Sequence, residues 1–327
     1  MKKDNIGVFF ILATVAVVLL LCDIATPWLY RHVETDHYRT ILMLDKLKES
    51  GFKPDLMVFG SSKSMSGIDA YQMTEELGID CYNFSSSNQS PAEGSLFFSE
   101  LPDSLKTLIM VIFPPVRNVC EERTRNVLPV NVSTAFVFGG YKLKDEIKIL
   151  NKNIDLSGLE KNRLLLNMDA RGSIVIPGLY NYFRPKMEEG TMDFKYPYSY
   201  SEERLTGYDQ TVAALRKVTH VGKDIEWAND IIEELILYHH YLKNKGINMM
   251  IAMLPTNPDI KEFSYEQLAW IDKNFSSQFP GIATFNYLSV ETNRTMYFDG
   301  THLNRTGGKY VTHLLNNDLL DYFNNNN

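Results

Sequence analysis

Two short segments near opposite ends of the chain hold the residue types needed for nucleophilic acyl chemistry. The first, Asp55-Leu56-Met57-Val58-Phe59-Gly60-Ser61-Ser62, runs an apolar strand pattern into a glycine and then serines. The second, Tyr297-Phe298-Asp299-Gly300-Thr301-His302-Leu303, sets a carboxylate and an imidazole three residues apart. A serine hydroxyl attacks only when a base takes its proton, so Ser62 needs a histidine within about 2.6–3.2 Å. His302 is the candidate base, and Asp299 the acid that would hold its Nδ1 proton and leave Nε2 facing the serine. Each segment alone also has an ordinary reading. Ser61, Ser62, Ser64 and Ser66 could be a serine-rich loop, and an Asp and a His often sit together at a helix start.

The elements that must bring these groups together are legible in the hydrophobic pattern. Leu56 to Phe59, Cys81 to Phe84, Leu108 to Phe113, Asn248 to Leu254 and Ala283 to Tyr287 read as strands. The uninterrupted run Leu-Ile-Met-Val-Ile-Phe is expected of a strand buried on both faces. Helices are predicted over Thr35 to Ser50, Ile68 to Leu77 (closed by Gly78), Pro91 to Leu101, Trp227 to Lys245, Tyr265 to Phe279 and Thr306 to Phe323. Asn304 or Thr306 would cap the last of these, and Asn324 to Asn327 would form a disordered tail. Between Asn118 and Lys223 the pattern loosens into what reads as an insertion or cap. Alternation of strand and helix on both sides of it implies an α/β fold, a doubly wound and mostly parallel sheet. Ligands in such sheets bind at the carboxyl ends of strands, where Ser62, Asn83, Asn88, Arg117 and Asn257 all fall.

Composition narrows the function classes. With 327 residues, 44% hydrophobic and 22% charged, the chain has material for a full core. Its net charge of −7 comes without a Lys/Arg block, which argues against nucleic acid as partner. No Cys/His spacing resembles a zinc site, so neither metal nor cofactor is expected. Gly60-Ser61-Ser62-Lys63-Ser64 lacks the spacer of a phosphate-binding loop, leaving Lys63 a solvated charge or a substrate contact. Ile6 to Cys22 is uncharged and almost wholly apolar, about long enough to span a bilayer. Lys2 and Lys3 before it favour a cytoplasmic N-terminus, and the absence of an Ala-x-Ala site favours an uncleaved anchor. The expected organisation is a transmembrane anchor within residues 1–30 and an extracytoplasmic domain over residues 31–327. In that oxidising setting Cys81 and Cys120 would be paired or simply buried.

Taken as a pair, the two segments resemble the SGNH/GDSL hydrolase superfamily. Gly60-Ser61-Ser62 is similar to its first block, with serine in place of the usual aspartate, and Asp299-Gly300-Thr301-His302 to its final Asp-x-x-His block. The serine form, the N-terminal anchor and the ending Asp-Gly-x-His-Leu resemble the membrane-anchored branch. That branch includes the D-alanyl-lipoteichoic acid transfer protein and the alginate O-acetylation proteins. The resemblance implies a flavodoxin-like SGNH fold in which Ser62 is nucleophile, His302 base and Asp299 its partner. It also implies a serine esterase or O-acyltransferase acting on acyl esters of a cell-surface polysaccharide or glycolipid, working beside a membrane-bound O-acyltransferase.

Two blocks depart from that pattern. Asn88 stands where a glycine amide usually completes the oxyanion hole, and a backbone N–H survives that change. After the third strand, Phe113-Pro114-Pro115-Val116-Arg117-Asn118 lacks the usual asparagine block, which leaves three expectations: weak hydrolysis, a different donor such as Arg117 or Asn118, or transfer that needs a partner. The competing expectation is a non-catalytic accessory protein that binds glycan and docks on the acyltransferase.

Overall fold

The computed structural model describes residues 36–87, 89–117, 194–197, 206–218 and 225–326, with helical positions at Ala13, Thr14 and Val17. The chain divides into two compact units. One comprises Met1–Leu42, Val132–Lys142 and Asp155–Glu188, and the other Met43–Asn131, Leu143–Ile154 and Glu189–Asn327. Helix α1 is Asp36–Leu47. The expected span Ile6 to Cys22 lies outside the described residues apart from those three helical positions. Among the described residues no helix is long and apolar enough to cross a membrane.

The second unit is built on a five-stranded parallel sheet. In chain order its elements begin with β1 (Leu56–Phe59), α2 (Ser62–Gly67), α3 (Ala70–Leu77), β2 (Cys81–Asn83), α4 (Pro91–Ser95) and β3 (Thr107–Ile112). They continue with β4 (Val116–Arg117), α5 (Tyr208–Val218), β5 (Glu226–Trp227), α6 (Asn229–Asn244), β6 (Asn248–Met253), α7 (Tyr265–Asn274), β7 (Ala283–Asn286) and α8 (Arg305–Asn326). The sheet order is β2-β1-β3-β6-β7, with β4 and β5 forming a separate antiparallel ribbon. This is the doubly wound α/β arrangement read from the sequence, and the order matches a flavodoxin-like sheet. Every residue of β1 and β3 is buried, as their unbroken apolar runs require. Chain direction across the sheet reverses between β1 and β3, and Ser62 follows β1 at that crevice.

Local chemistry fixes where the elements start and stop. Asp69 caps α3 by accepting from Tyr71 and Gln72 amides, and Gly78 ends it in the left-handed region at φ +67°. Ser90 with Glu93, and Ser264 with Gln267, form capping boxes at α4 and α7. Asn304 caps α8, its Oδ1 accepting from the Gly307 amide at 3.0 Å. The edge of β2 is covered by residues 194–197: the Asn83 amide donates to Phe194 O at 2.7 Å, and Lys195 Nζ reaches Cys81 O at 2.7 Å.

Several boundaries differ from the sequence reading. The serine-rich turn is helix α2, separated from α3 by Ile68 and Asp69. The predicted Pro91–Leu101 helix stops at Ser95, because Phe97, Phe98 and Glu100 amides bond three residues back instead of four. The tail expected to be disordered continues α8 to Asn326, carried by Leu319 and by Tyr322 and Phe323 packed against the core. Within the expected insertion, α5 packs Tyr208 and Val212 into that core, while residues 118–193, 198–205 and 219–223 lie outside the described part. Cys81 is buried and unpaired, and its thiol is pushed up to about 12, mainly by burial; Cys120 lies outside the described residues.

Helix α8 crosses α2 without side chains between the backbones at one point. A Cβ on Gly308 would stand 2.5 Å from Ser66 O and collide with the Tyr196 hydroxyl, which donates to Ser66 O at 3.1 Å. One on Gly307 would collide with Met296 O. Thr312 ties the same contact, donating to Gly308 O at 2.8 Å and accepting from the Asp69 amide at 2.9 Å. Helix propensity alone would make Gly308→Ala stabilising by about 1 kcal/mol. The backbone clash opposes this, and overpacking of this kind costs about 1–3 kcal/mol. Gly308→Ala should therefore lower the midpoint of urea unfolding; a raised midpoint would contradict the close approach.

Candidate active site

The serine and the acid–base pair reach one place through two different devices. Gly60 leaves β1 with no room for a side chain: a Cβ there would stand 2.8 Å from Ser64 Cβ and 3.0 Å from Val111 O. Its amide donates to Gln89 Oε1 at 3.0 Å, and its carbonyl accepts from the Ser86 amide at 3.0 Å. The chain then enters α2, whose first residue is Ser62. Buried polar groups hold this short helix. Asn83 Nδ2 donates to Ser64 O at 3.0 Å and Ile68 O at 2.8 Å, and Ser85 Oγ donates to Ser64 Oγ at 2.8 Å. Asn83, Ser64 and Ser85 are fully buried, so these bonds have no competing water.

At the other end, Tyr297 and Leu303 form an antiparallel bridge, and the Phe298 amide donates to His302 O at 2.9 Å. Residues 298–302 are thereby closed into a tight loop just before α8. Asp299 organises it from within: Oδ1 accepts from the Thr301 amide at 2.7 Å and the His302 amide at 2.8 Å. Oδ2 remains for the imidazole, 2.8 Å from His302 Nδ1. His302 Nε2 lies 2.9 Å from Ser62 Oγ. Thr301 Oγ1 is also 3.1 Å from Nδ1.

The electrostatics suit an acid that stays charged. Burial raises the Asp299 pKa, but the bond and charge of His302 and the two loop amides outweigh it and hold the carboxyl at about 2. A carboxyl depressed in the folded state contributes stability that is complete above its ordinary value of 3.8 and is lost as pH falls toward 2. Melting temperatures of the wild type and Asp299→Asn should therefore converge between about pH 4 and pH 2. A gap that stays constant across this window would contradict the assigned interactions.

Ser62, His302 and Asp299 are thus brought together as expected. Of the proposed oxyanion groups, Arg117 lies in the β4–β5 ribbon with its backbone paired to Glu226, and Asn88 and Asn118 fall outside the described residues. Among the described residues the Ser62 amide has no acceptor, as befits the first turn of a helix. Lys63 is not simply solvated: its Nζ lies 4.9 Å from the centre of the Phe113 ring. No group of His, Cys, Asp and Glu suited to a metal occurs among the described residues.

Sequence reasoning missed Asn83, Ser85 and Gln89 as supports of the serine turn, and Asn257 and Tyr208 as neighbours of the acid–base loop. The one available sign belonged to Asn83 and Asn257, uncharged hydrogen-bonding residues at or just beyond strand ends of an otherwise apolar sheet. No protein-family model matches the chain, and no curated protein does so.

Proposed function

We propose that the chain is a membrane-anchored serine esterase or O-acyltransferase of SGNH type, acting on acyl esters of a cell-surface polysaccharide or glycolipid. The observation that carries this reading is the hydrogen-bond chain Ser62 Oγ–His302 Nε2 and Nδ1–Asp299 Oδ2, at 2.9 and 2.8 Å, between residues 240 positions apart. Ser62 Oγ attacks the acyl carbon while His302 Nε2 takes its proton. His302 then returns that proton to the departing alkoxide, leaving the acyl group on Ser62. Water completes hydrolysis, or a sugar hydroxyl completes transfer, with His302 again the base. Asp299 stays ionised and stabilises the imidazolium. The uncharged run Ile6 to Cys22 supports the anchor, with residues beyond it extracytoplasmic, and the anchor supports a polymer made at the membrane and a membrane-bound O-acyltransferase as partner.

Washed membranes carrying the full chain should give a stoichiometric burst of p-nitrophenol from p-nitrophenyl acetate, followed by a slower phase. A slow phase accelerated by added glycan assigns transfer, and one indifferent to glycan assigns hydrolysis. The absence of any release above membranes lacking the protein would favour a non-catalytic accessory that binds glycan.

A further inference from the structure

Asn257 follows β6, is only 3% exposed, and has every polar atom of its side chain engaged. Its Nδ2 donates to Asp299 O at 3.3 Å and to the Tyr208 hydroxyl at 3.0 Å, and its Oδ1 accepts from the Asp259 amide at 2.9 Å. The carboxamide is fixed in this sense. Turned over, it would set oxygen against the Asp299 carbonyl and nitrogen against the Asp259 N–H, two repulsive contacts in a buried place. One buried side chain thus ties the backbone of the acid–base loop to the turn after β6.

That side chain also joins the loop to α5. Tyr208, the first residue of α5, donates to Asp259 Oδ2 at 3.3 Å, and the Arg294 guanidinium lies over its ring at 5.4 Å. Arg294 pairs with Asp209 at 2.8 Å and with Asp259 at 3.5 Å, and Arg216 Nε donates to Asp259 O. Farther along α5, Leu215 packs so closely on Gly300 that a Cβ there would collide with it. Both the Asp299 carbonyl and the turn at Gly300 thus rest on groups that α5 touches.

We infer that Asn257 is the positioning residue of the Asp299–His302 loop, and that through it the docking of α5 sets the register of His302 against Ser62. This rests on the proposed triad. The reach of His302 Nε2 to Ser62 is set by a five-residue loop, and a displacement of about 1 Å at a reacting pair costs up to about 100-fold. Asn257→Asp keeps the side chain's shape but puts an oxygen against Asp299 O. Tyr208→Phe removes only the hydroxyl, and with it the bonds that join Asn257 and Asp259 to the start of α5.

The test uses the full chain in detergent, with a fluorophosphonate as probe of Ser62, the far-downfield NMR resonance of the His302 Nδ1 proton, and thermal unfolding. Asn257→Asp should slow labelling by about 10- to 100-fold and shift or erase the resonance. Tyr208→Phe, which retains the fold's packing, should slow labelling by about 3- to 10-fold with a melting temperature near that of the wild type. Folded variants that label at the wild-type rate and keep the resonance would overturn the positioning role and leave the triad standing. A wild type that neither labels nor shows the resonance would overturn the triad and this inference together.

Discussion

Ser62→Ala should abolish the ester hydrolysis of the chain, lowering kcat/KM by about 10⁵- to 10⁶-fold, with unfolding changed little. The size follows from the role. Without Oγ there is no acyl-enzyme, and what remains comes from binding and from any donors to the oxyanion. Ser62 Oγ has His302 Nε2 as its partner, and the helix is held by Ser64, Asn83 and Ser85 instead, so removing the hydroxyl spares the fold. His302→Ala should cost about as much, and the double variant should be no worse than either single one, because groups that act as a unit are not additive. Kinetics with p-nitrophenyl acetate on all three variants decide this. Multiplying losses would contradict a shared step.

Asp299→Asn should lower kcat by about 10⁴-fold while KM and the fold of the loop change little. The reason lies in which oxygen does what. Oδ1 is engaged by the Thr301 and His302 amides, so the asparagine oxygen takes that place. Its Nδ2 then faces His302 Nδ1, which must accept. The ring proton moves to Nε2, where it points at Ser62 Oγ and cannot take a proton from it. Kinetics separated into kcat and KM, with a melting curve, check the outcome. A loss confined to KM would mean that Asp299 serves binding and not the imidazole.

How much of this was legible without coordinates depended on how local each feature is. The Asp-x-x-His spacing and the apolar strand ending at Gly60 are patterns within a few residues, and the structure brings Ser62, His302 and Asp299 together as read. The parallel sheet was legible for the same reason, since β1, β3 and β6 are buried apolar runs bounded by turns. Helix α2 was not, because six residues of Ser, Lys, Met and Gly show no helical period; its stability comes from Asn83 and Ser85 across the sheet edge. The need for glycine at position 308 has no local sign either, because a Cβ there would meet Ser66 and Tyr196, far away in sequence. Asn257 showed only its place at a strand end and Tyr208 no local mark, because their link to each other and to Asp299 is long-range.

The most direct measurement is the mass of the peptide that a fluorophosphonate modifies when it reacts with the intact chain. A single adduct on Ser62 is expected, formed by the wild type and not by His302→Ala. Modification elsewhere, or equal labelling of Ser62 with and without the His302 imidazole, would contradict it.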